Sequence, residues 1–541
     1  MLYVPPANDD DDRRSRFPIP CQTPARLPAG SPMSAPPPHR NTVRSLDPYR
    51  HRGGPLALPL APLKASLHLF GLMLTMFSVT MLPPMAIGVL YGDGAVEPFA
   101  HTLLITLASG LLIWLPVRRQ KLDLRNRDGF LVVVAFWVTL SLLSAIPFML
   151  SEQPHMPLVD AVFEAVSGLT TTGATVLAGI DSLPHAIVYY RAQLNFFGGM
   201  GIVVLAVALL PMLGVGGMQI YRAETPGPMK DEKLTPRITE TAKNLWYIYV
   251  GLNVLCTAAF WLAGMDLFDS VCHSFATVAL GGFSTHDASI GFYQSDAIEF
   301  VAGFFSLVAA VNFALFFFAW RQKSLRAILV DEEFRFFVKV MAVLIGTAIA
   351  GLYFSGTFPL WESIVHGFFQ TASIVTDNGL VVAGYPDWPM AVTLLLLLGS
   401  FFGGCVGSTC GGIKAIRFLL LYRQSVREMK LLIRPTAQIP VRLGTRTVPD
   451  RVMQAVLAFY FLYIFAYCAC SIGVAATGAD LVTAFGSVAG CINNMGVGLG
   501  ETASNFSPLS DTATWIVTAS MLIGRLEVFP LLLLFVPSFW R

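Results

Sequence analysis

The sequence predicts an all-α polytopic membrane protein in which two leading transmembrane helices precede four helix–loop–helix repeats. Three observations carry this prediction. The 541 residues are 54% hydrophobic and only 13% charged, whereas soluble domains carry about 25% charge, so the chain lacks the polar surface to cover several soluble cores. Ten apolar runs recur from Leu67 onward, most of them long enough to supply the ~20 residues that cross about 30 Å of hydrocarbon. Four further apolar stretches, too short to cross, end in turns that carry a glycine.

Residues 1–65 hold 14 of the 35 prolines and the acid run Asp9 to Asp12, a composition that cannot build a core. A disordered cytoplasmic leader is expected there, or residues read from a misassigned start. It does not open with the positive and apolar stretches of a secretory signal. The expected spans are 67–91, 97–117, 129–151, 185–215, 240–264, 297–320, 334–355, 388–424 with an interruption, 451–475 and 513–538. They divide into a leading pair (66–128) and four repeats (129–215, 216–323, 324–430 and 431–541).

Lysine and arginine placement gives the orientation. Arg118, Arg119, Lys121, Arg125 and Arg127 fill one loop, Arg222, Lys230, Lys233, Arg237 and Lys243 another, and residues 423–451 are basic again. An even number of crossings separates them, so they lie inside, with both termini. Segments 152–184, 265–298, 356–390 and 476–512 contain no lysine or arginine but include Asp160, Glu164, Asp269, Glu362 and Asp480. They face out, and their acidity favours cations.

Those four outer segments repeat one another. They read SGLTTTGAT (167–175), TVALGGFST (277–285), SIVTDNGLV (373–381) and INNMGVGLG (492–500). With Gly173, Gly282, Gly379 and Gly496 in register, the separations are 109, 97 and 117 residues. Six residues before each glycine sits a small residue: Ser167, Ala276, Ser373 and Gly490. Nine before sits a polar one: Glu164, His273, Gln370 and Ser487. Non-helical backbone at membrane depth must be buried in protein or line a cavity, so four such turns about one axis make a pore. Glycine adopts φ > 0 freely, which lets successive carbonyls face a central ion. The short helices aim their negative C-terminal ends at the same place. In the bland alternative these glycines only permit close helix packing.

The span near Trp388 is interrupted by GSFFGGCVGSTCGG (399–412), with six glycines in fourteen residues. Each costs roughly 1 kcal/mol in a helix interior, so an irregular intramembrane loop is expected just below the third turn. It is not a phosphate-binding loop, because Ile413 separates Gly412 from Lys414 and no hydroxyl follows the lysine. Arg525 lies within the last run. Lys414 and Arg417 read as ordinary cations at the cytoplasmic edge.

Other classes find no support. A formal net charge of +2 supplies no basic face for nucleic acid. Cys21, Cys256, Cys272, Cys405, Cys410, Cys468, Cys470 and Cys491 show no CxxC spacing and read as small buried hydrophobes, not a disulfide framework or zinc site. No HxxxH, HExxH or GxSxG pattern occurs, so neither transition-metal nor hydrolase chemistry is indicated and the chain does not read as an enzyme.

The segments LYGDG (90–94), GGMGIVVLAVALLP (198–211), YRAETPGPMKDEKLTPRITETAK (221–243) and GRLEVFPLLLLF (524–535) resemble the TrkH-type potassium transporter subunits, a superfamily that also holds KtrB and plant HKT proteins. The resemblance covers residues 67–541. It implies a four-repeat, K⁺-channel-like pore in the cell inner membrane and a homodimer. It also implies a cytosolic NAD-binding TrkA-type ring that controls opening, so nucleotides of the NAD or ATP kind are expected on that partner and no cofactor on this chain.

By the same resemblance the filter comprises Thr171, Thr172 and Gly173; Leu280, Gly281 and Gly282; Asp377, Asn378 and Gly379; and Asn494, Met495 and Gly496, with K⁺ as the only metal. Four glycines favour K⁺ over Na⁺. The sequence departs from the family in the acid at Asp377, in Val497 where proline is expected, and in keeping a threonine run only in the first loop. The resemblance makes residues 399–412 a gating loop, with Gly403, Gly404, Gly407, Ser408, Thr409, Gly411 and Gly412 as its working residues, and has Arg525 hydrogen-bond it from across the pore. Alternatively Arg525 pairs with Glu527 or snorkels to the inner surface. The implied function is potassium uptake driven by membrane potential. A transporter coupling K⁺ or Na⁺ to H⁺ or Na⁺ is the alternative, for which Arg525, Glu527 and Lys339 are the few titratable candidates in the spans.

Overall fold

The computed structural model describes residues 60–118, 126–199, 201, 238–382, 385, 388–444 and 446–537. The expected leader lies outside them except for residues 60–65, which are helical, since the first helix runs Leu60–Ser78. Most of 198–211 and 221–243, and the end of the run 185–215, also lie outside.

Six described helices are long and apolar enough to cross a membrane in one piece: Ser66–Tyr91, Val96–Val117, Phe130–Leu150, Lys243–Leu262, Glu332–Phe354 and Asp450–Ala475. Large apolar side chains on them point outward, Leu112, Leu262, Val343 and Phe461 among them, as lipid-facing surfaces require. The leading pair approaches closely through small residues. A Cβ on Gly71 would stand 2.7 Å from the Trp114 nitrogen, and one on Gly110 2.7 Å from that of Thr75.

Two expected continuous spans are broken instead. The run 297–320 becomes Asp296–Ala309 and Phe313–Gln322, bent by 88°. The reason is long-range, because the glycine-rich loop 399–412 takes the backbone groups freed at the bend: Cys405 N–H donates to the Ala310 carbonyl at 2.8 Å and Phe313 N–H to that of Gly407 at 3.0 Å. The run 388–424, expected to be interrupted, divides into Met390–Ser400 and Ala415–Ile433 around the loop. The run 513–538 stops at Arg525 and resumes at Phe529–Leu533, with Glu527 and Val528 at φ 54° and 60° between. A two-residue antiparallel ladder, Arg442–Leu443 with Arg446–Thr447, sits in the basic segment.

Four short helices remain: Leu158–Leu169, Leu267–Ala279, Leu360–Val375 and Leu481–Ile492, of 12, 13, 16 and 12 residues. At 1.5 Å per residue they reach about 18–24 Å, short of a full crossing. Each starts from an extended residue of nearly the same conformation, Pro157, Asp266, Pro359 and Asp480, with φ −64°, −66°, −60° and −66°. Each ends against one of the four glycine turns.

Candidate functional site

The four turns share one backbone geometry. The residue two before each glycine is left-handed, at φ 54° (Thr171), 54° (Leu280), 62° (Asp377) and 58° (Asn494). The glycines follow at φ 79°, 70°, 78° and 83°. Left-handed backbone costs roughly 1–2 kcal/mol at a non-glycine residue, and the same two hydrogen bonds hold it each time. The residue before the glycine donates its N–H five residues back: Thr172 to Ser167, Gly281 to Ala276, Asn378 to Ser373 and Met495 to Gly490, all at 2.8 Å. The residue before that donates three back, at 3.1–3.2 Å in every loop.

This geometry closes a ring. A Cβ on Gly173 would meet the Gly281 carbonyl at 2.4 Å, on Gly282 that of Asn378 at 2.4 Å, on Gly379 that of Met495 at 2.0 Å, and on Gly496 that of Thr172 at 2.2 Å. Each glycine therefore lies under a carbonyl oxygen of the next repeat, and the fourth returns to the first. The glycines do more than let helices pack, because any side chain here would strike a main-chain oxygen of the ring and strain a positive φ.

In the first three repeats the polar residue nine before the glycine braces the chain that follows the turn. Glu164 accepts from Thr175 Oγ1 at 3.0 Å and from the Val176 amide at 3.3 Å. Gln370 accepts from the Val382 amide at 3.1 Å, and His273 Nε2 meets Ser284 Oγ at 3.0 Å. Ser487 reaches only its own helix, donating to the Ala484 carbonyl at 3.2 Å. Arg191 completes the first brace: its Nε donates to Glu164 at 2.7 Å, its Nη2 to Thr175 Oγ1 at 3.2 Å and its Nη1 to the Ser284 carbonyl of the second repeat at 3.0 Å. Both partners of this ion pair are fully buried. Sequence reasoning passed over Arg191, although it is the sole charge in the apolar run 185–215, the signal by which it could have been found.

On the side away from the glycine-rich loop, the first two repeats are joined through His286. Its Nδ1 meets Asp181 and its Nε2 meets Asp269 at 3.0 Å, while its ring stacks on Phe292. Burial opposes the ring's charge, but the hydrogen bonds to Asp269 and Asp181 outweigh it and hold the pKa above the usual histidine value.

The glycine-rich loop sits against the opposite face of the ring and reaches all four repeats. Thr409 Oγ1 donates to the Val278 carbonyl at 3.0 Å, at the end of the second short helix. A Cβ on Gly403 or Gly412 would stand 3.4 or 3.1 Å from Asp377 Oδ2 in the third turn. Gly412 N–H donates to the Asn493 carbonyl at 3.0 Å in the fourth, and a Cβ on Gly411 would lie 2.0 Å from that oxygen. Arg525 makes the link to the first, its Nη1 donating to Thr171 Oγ1 at 3.1 Å and to the Thr409 carbonyl at 3.4 Å, and its Nη2 to the Gly198 carbonyl. Within the loop a Cβ on Gly404 would overlap Cys410 Sγ, and Ser408 Oγ donates to the Cys405 carbonyl at 2.6 Å.

Two expectations need correction here. Lys414 and Arg417 are not edge cations: they are 4% and 6% exposed. Lys414 donates to the Cys410 carbonyl, and Arg417 pairs with Glu527 at 2.5 Å over the Phe459 ring. Glu527 is thereby paired with Arg417. Glu333, which sequence reasoning also missed, is buried at the loop's flank and accepts the Val406 amide at 2.7 Å and that of Ile416. Among the described residues no three His, Cys, Asp or Glu side chains gather as a metal site.

A multi-pass bundle in which four re-entrant helices deliver backbone carbonyls to one closed ring is the architecture of a membrane cation-transport protein. The comparisons with known proteins agree. The TrkH family model, described as a cation transport protein, matches residues 96–541, and the chain belongs to that family of transport proteins, which are not enzymes. It is 48% identical over 482 residues to the "Trk system potassium uptake protein TrkH" of Vibrio parahaemolyticus, covering 88% of this chain and 99% of the relative. It is 48% identical over 479 residues to the protein of the same name from Escherichia coli K12, with the same coverage. The crystal structure of the potassium transporter TrkH from Vibrio parahaemolyticus superposes with a TM-score of 0.81 at 45% identity, covering 88% of this chain and all of that one.

Proposed function

We propose that the chain takes up potassium ions through the ring, drawn inward by membrane potential and gated by the intramembrane loop. The observation that carries this is the closed succession of carbonyls from Thr172, Gly281, Asn378 and Met495, each seated on the preceding repeat's glycine. Carbonyl rings of this kind replace the hydration shell of a monovalent cation. The relatives' names supply potassium as the ion. The filter residues act through main-chain oxygens, so Leu280 and Met495 serve as well as Thr172.

Potential suffices as the driving force. One charge moved across 100 mV gains about 2.3 kcal/mol, and each tenfold gradient opposes it by about 1.4 kcal/mol. Roughly 150 mV therefore holds about a 300-fold gradient. In the loop-in arrangement the path below the ring is filled by Gly403 to Gly412, with Arg525 tying Thr409 to Thr171. Opening requires those contacts to break. In this reading a cytosolic TrkA-type ring supplies the work, its nucleotide staying on that partner, and two copies of this chain form a homodimer in the inner membrane with both termini in the cytoplasm.

The test is uptake of radioactive rubidium into proteoliposomes holding this chain alone, with an imposed inside-negative potential. Uptake that follows voltage and is competed by K⁺ but not Na⁺ supports the pore. Uptake that appears only with a pH or Na⁺ gradient makes the chain a coupled transporter. Deleting residues 403–412 raises basal uptake if the loop is the gate; reduced uptake in a folded, inserted variant makes it a support of the pore. Gly173→Ser, whose Cβ would press on the Gly281 carbonyl, relaxes the preference for K⁺ over Na⁺.

A further inference from the structure

Asp377 is fully buried, and neither of its carboxylate oxygens has a hydrogen-bond partner among the described residues. A bare buried carboxylate is among the costliest groups a protein can hold, so it stands beside a cation or gives up its charge. The equivalent positions in the other repeats are Thr171, Leu280 and Asn494, all uncharged. The carboxylate faces the gap that the missing side chains of Gly403 and Gly412 leave in the loop.

Lys414 follows two residues after Gly412, whose Cβ would stand 3.1 Å from the Asp377 carboxylate. This lysine is 4% exposed and stands at φ 81°, a backbone conformation that costs a non-glycine residue, just after the loop and before the helix Ala415–Ile433. Strain and burial together turn an ammonium group into the space under the ring. It donates there to the Cys410 carbonyl, with no hydrogen bond to Asp377. A backbone carbonyl and a nearby carboxylate are also what a potassium ion would use, and an ammonium group matches that ion in charge and nearly in size.

We propose that the Asp377 carboxylate is a monovalent-cation site at the base of the ring, and that Lys414 is its tethered occupant while the loop is in place. When the loop withdraws, the ammonium leaves with it and K⁺ takes its position. One carboxylate among glycines binds weakly enough for the ion to move on, and does not offer the octahedral oxygen shell that Mg²⁺ demands. This inference rests on the reading of the loop as a gate.

The test compares the full chain with Lys414→Met, Asp377→Asn and the double variant, measuring how K⁺, against choline, protects against thermal unfolding. The carbonyl ring gives every form a common protection. Lys414→Met is expected to lower the K⁺ concentration for half-protection by at least about fivefold, the low end of ordinary site coupling. Asp377→Asn and the double variant should lose that gain, and Lys414→Arg should restore wild-type behaviour. An unchanged Lys414→Met titration, or a gain that persists in the double variant, overturns the proposal.

A second measurement does not depend on Lys414 variants folding. In the protein lacking residues 403–412, Asp377→Asn should cut rubidium uptake at low K⁺ by about fivefold, and unchanged uptake overturns the site. If the deletion itself fails to raise uptake, the gate reading falls; if it raises uptake while Asp377→Asn has no effect, this proposal falls alone.

Discussion

Repeats one and three return serine and threonine hydroxyls to their own turn backbone at matching positions, whereas repeats two and four place other or smaller residues there. In the first and third, the short helix opens on Pro157 or Pro359 with an acid, Asp160 or Glu362, in its first turn. Thr170 and Thr376 each return a hydroxyl to the carbonyl four residues back at 2.7 Å. Ser167 and Ser373 each donate to the carbonyl just after the glycine, those of Ala174 and Leu380, at 2.5 and 2.6 Å. In the second and fourth, Asp266 and Asp480 cap the helix with their own carboxylates. The serine position is Ala276 or Gly490, and a Cβ on Gly490 would meet the Val497 carbonyl at 2.4 Å. Because the ring runs in order from one to four, the tied loops stand diagonally opposite. Two loops with hydroxyl ties then alternate with two whose side-chain bonds come from elsewhere, His273 to Ser284 in the second and Asn494 to Thr172 in the fourth.

If that contrast is right, the largest effect comes from cutting the strongest tie. Arg191→Ala leaves Glu164 buried and unpaired, and breaking one side of a buried ion pair costs about 3–5 kcal/mol. It also releases the Ser284 carbonyl of the second repeat. We expect a large fall in thermal stability in detergent and loss of the preference for K⁺ over Na⁺ in rubidium competition. A next, smaller break is Ser167→Ala or Ser373→Ala. Each strands a buried carbonyl beside a ring glycine at about 1–3 kcal/mol, read as a lowered melting temperature and a partial loss of selectivity. A variant as stable and selective as the parent would dissolve the distinction between the two pairs of loops.

The glycine register was legible in the sequence because φ > 0 beside a neighbouring carbonyl leaves no other residue type, so the same letter returns four times. The small residue six before and the polar residue nine before were legible as pattern, and their hydrogen bonds now give the reason. What stayed hidden is long-range. Arg191 and Glu164 are 27 residues apart, and Arg417 takes Glu527 from 110 away; periodicity carries no record of such pairs. The 88° bend after Ala309 was unreadable for the same cause, since it exists to serve backbone groups of a loop about a hundred residues later. Lys414 read as an edge cation because a lysine after an apolar run usually is one, and only the positive φ that turns it inward says otherwise.

A weaker expectation concerns the bridge between the first repeat and the second. The hydrogen bonds to Asp181 and Asp269 raise the pKa of His286, with His273, Asp287, Asp266 and Tyr293 as the other titratable groups around it. Since its folded pKa is raised, its contribution is fully present below the unfolded value of about 6.5. It is lost as pH rises through the folded value. The melting temperature should therefore decline over that window, and His286→Gln should flatten the decline. A variant with the parent's slope would move the pH dependence to another group.

The smallest effect is the sharpest test of the contrast. Ser487 occupies the position of Glu164 and Gln370 in the fourth repeat and is fully buried, yet its hydroxyl only duplicates a bond within its own helix. Ser487→Ala removes donor and acceptor together and leaves no turn amide or carbonyl newly unsatisfied. The cost should stay within about 0.5 kcal/mol, with K⁺ over Na⁺ preference unchanged in the same rubidium competition. Damage equal to that of Ser373→Ala would mean that the fourth turn leans on this hydroxyl after all. In that case the Ser487 hydroxyl joins Asn494 and Tyr463 in holding the fourth turn, beside the close approach of Gly490 to the Val497 carbonyl.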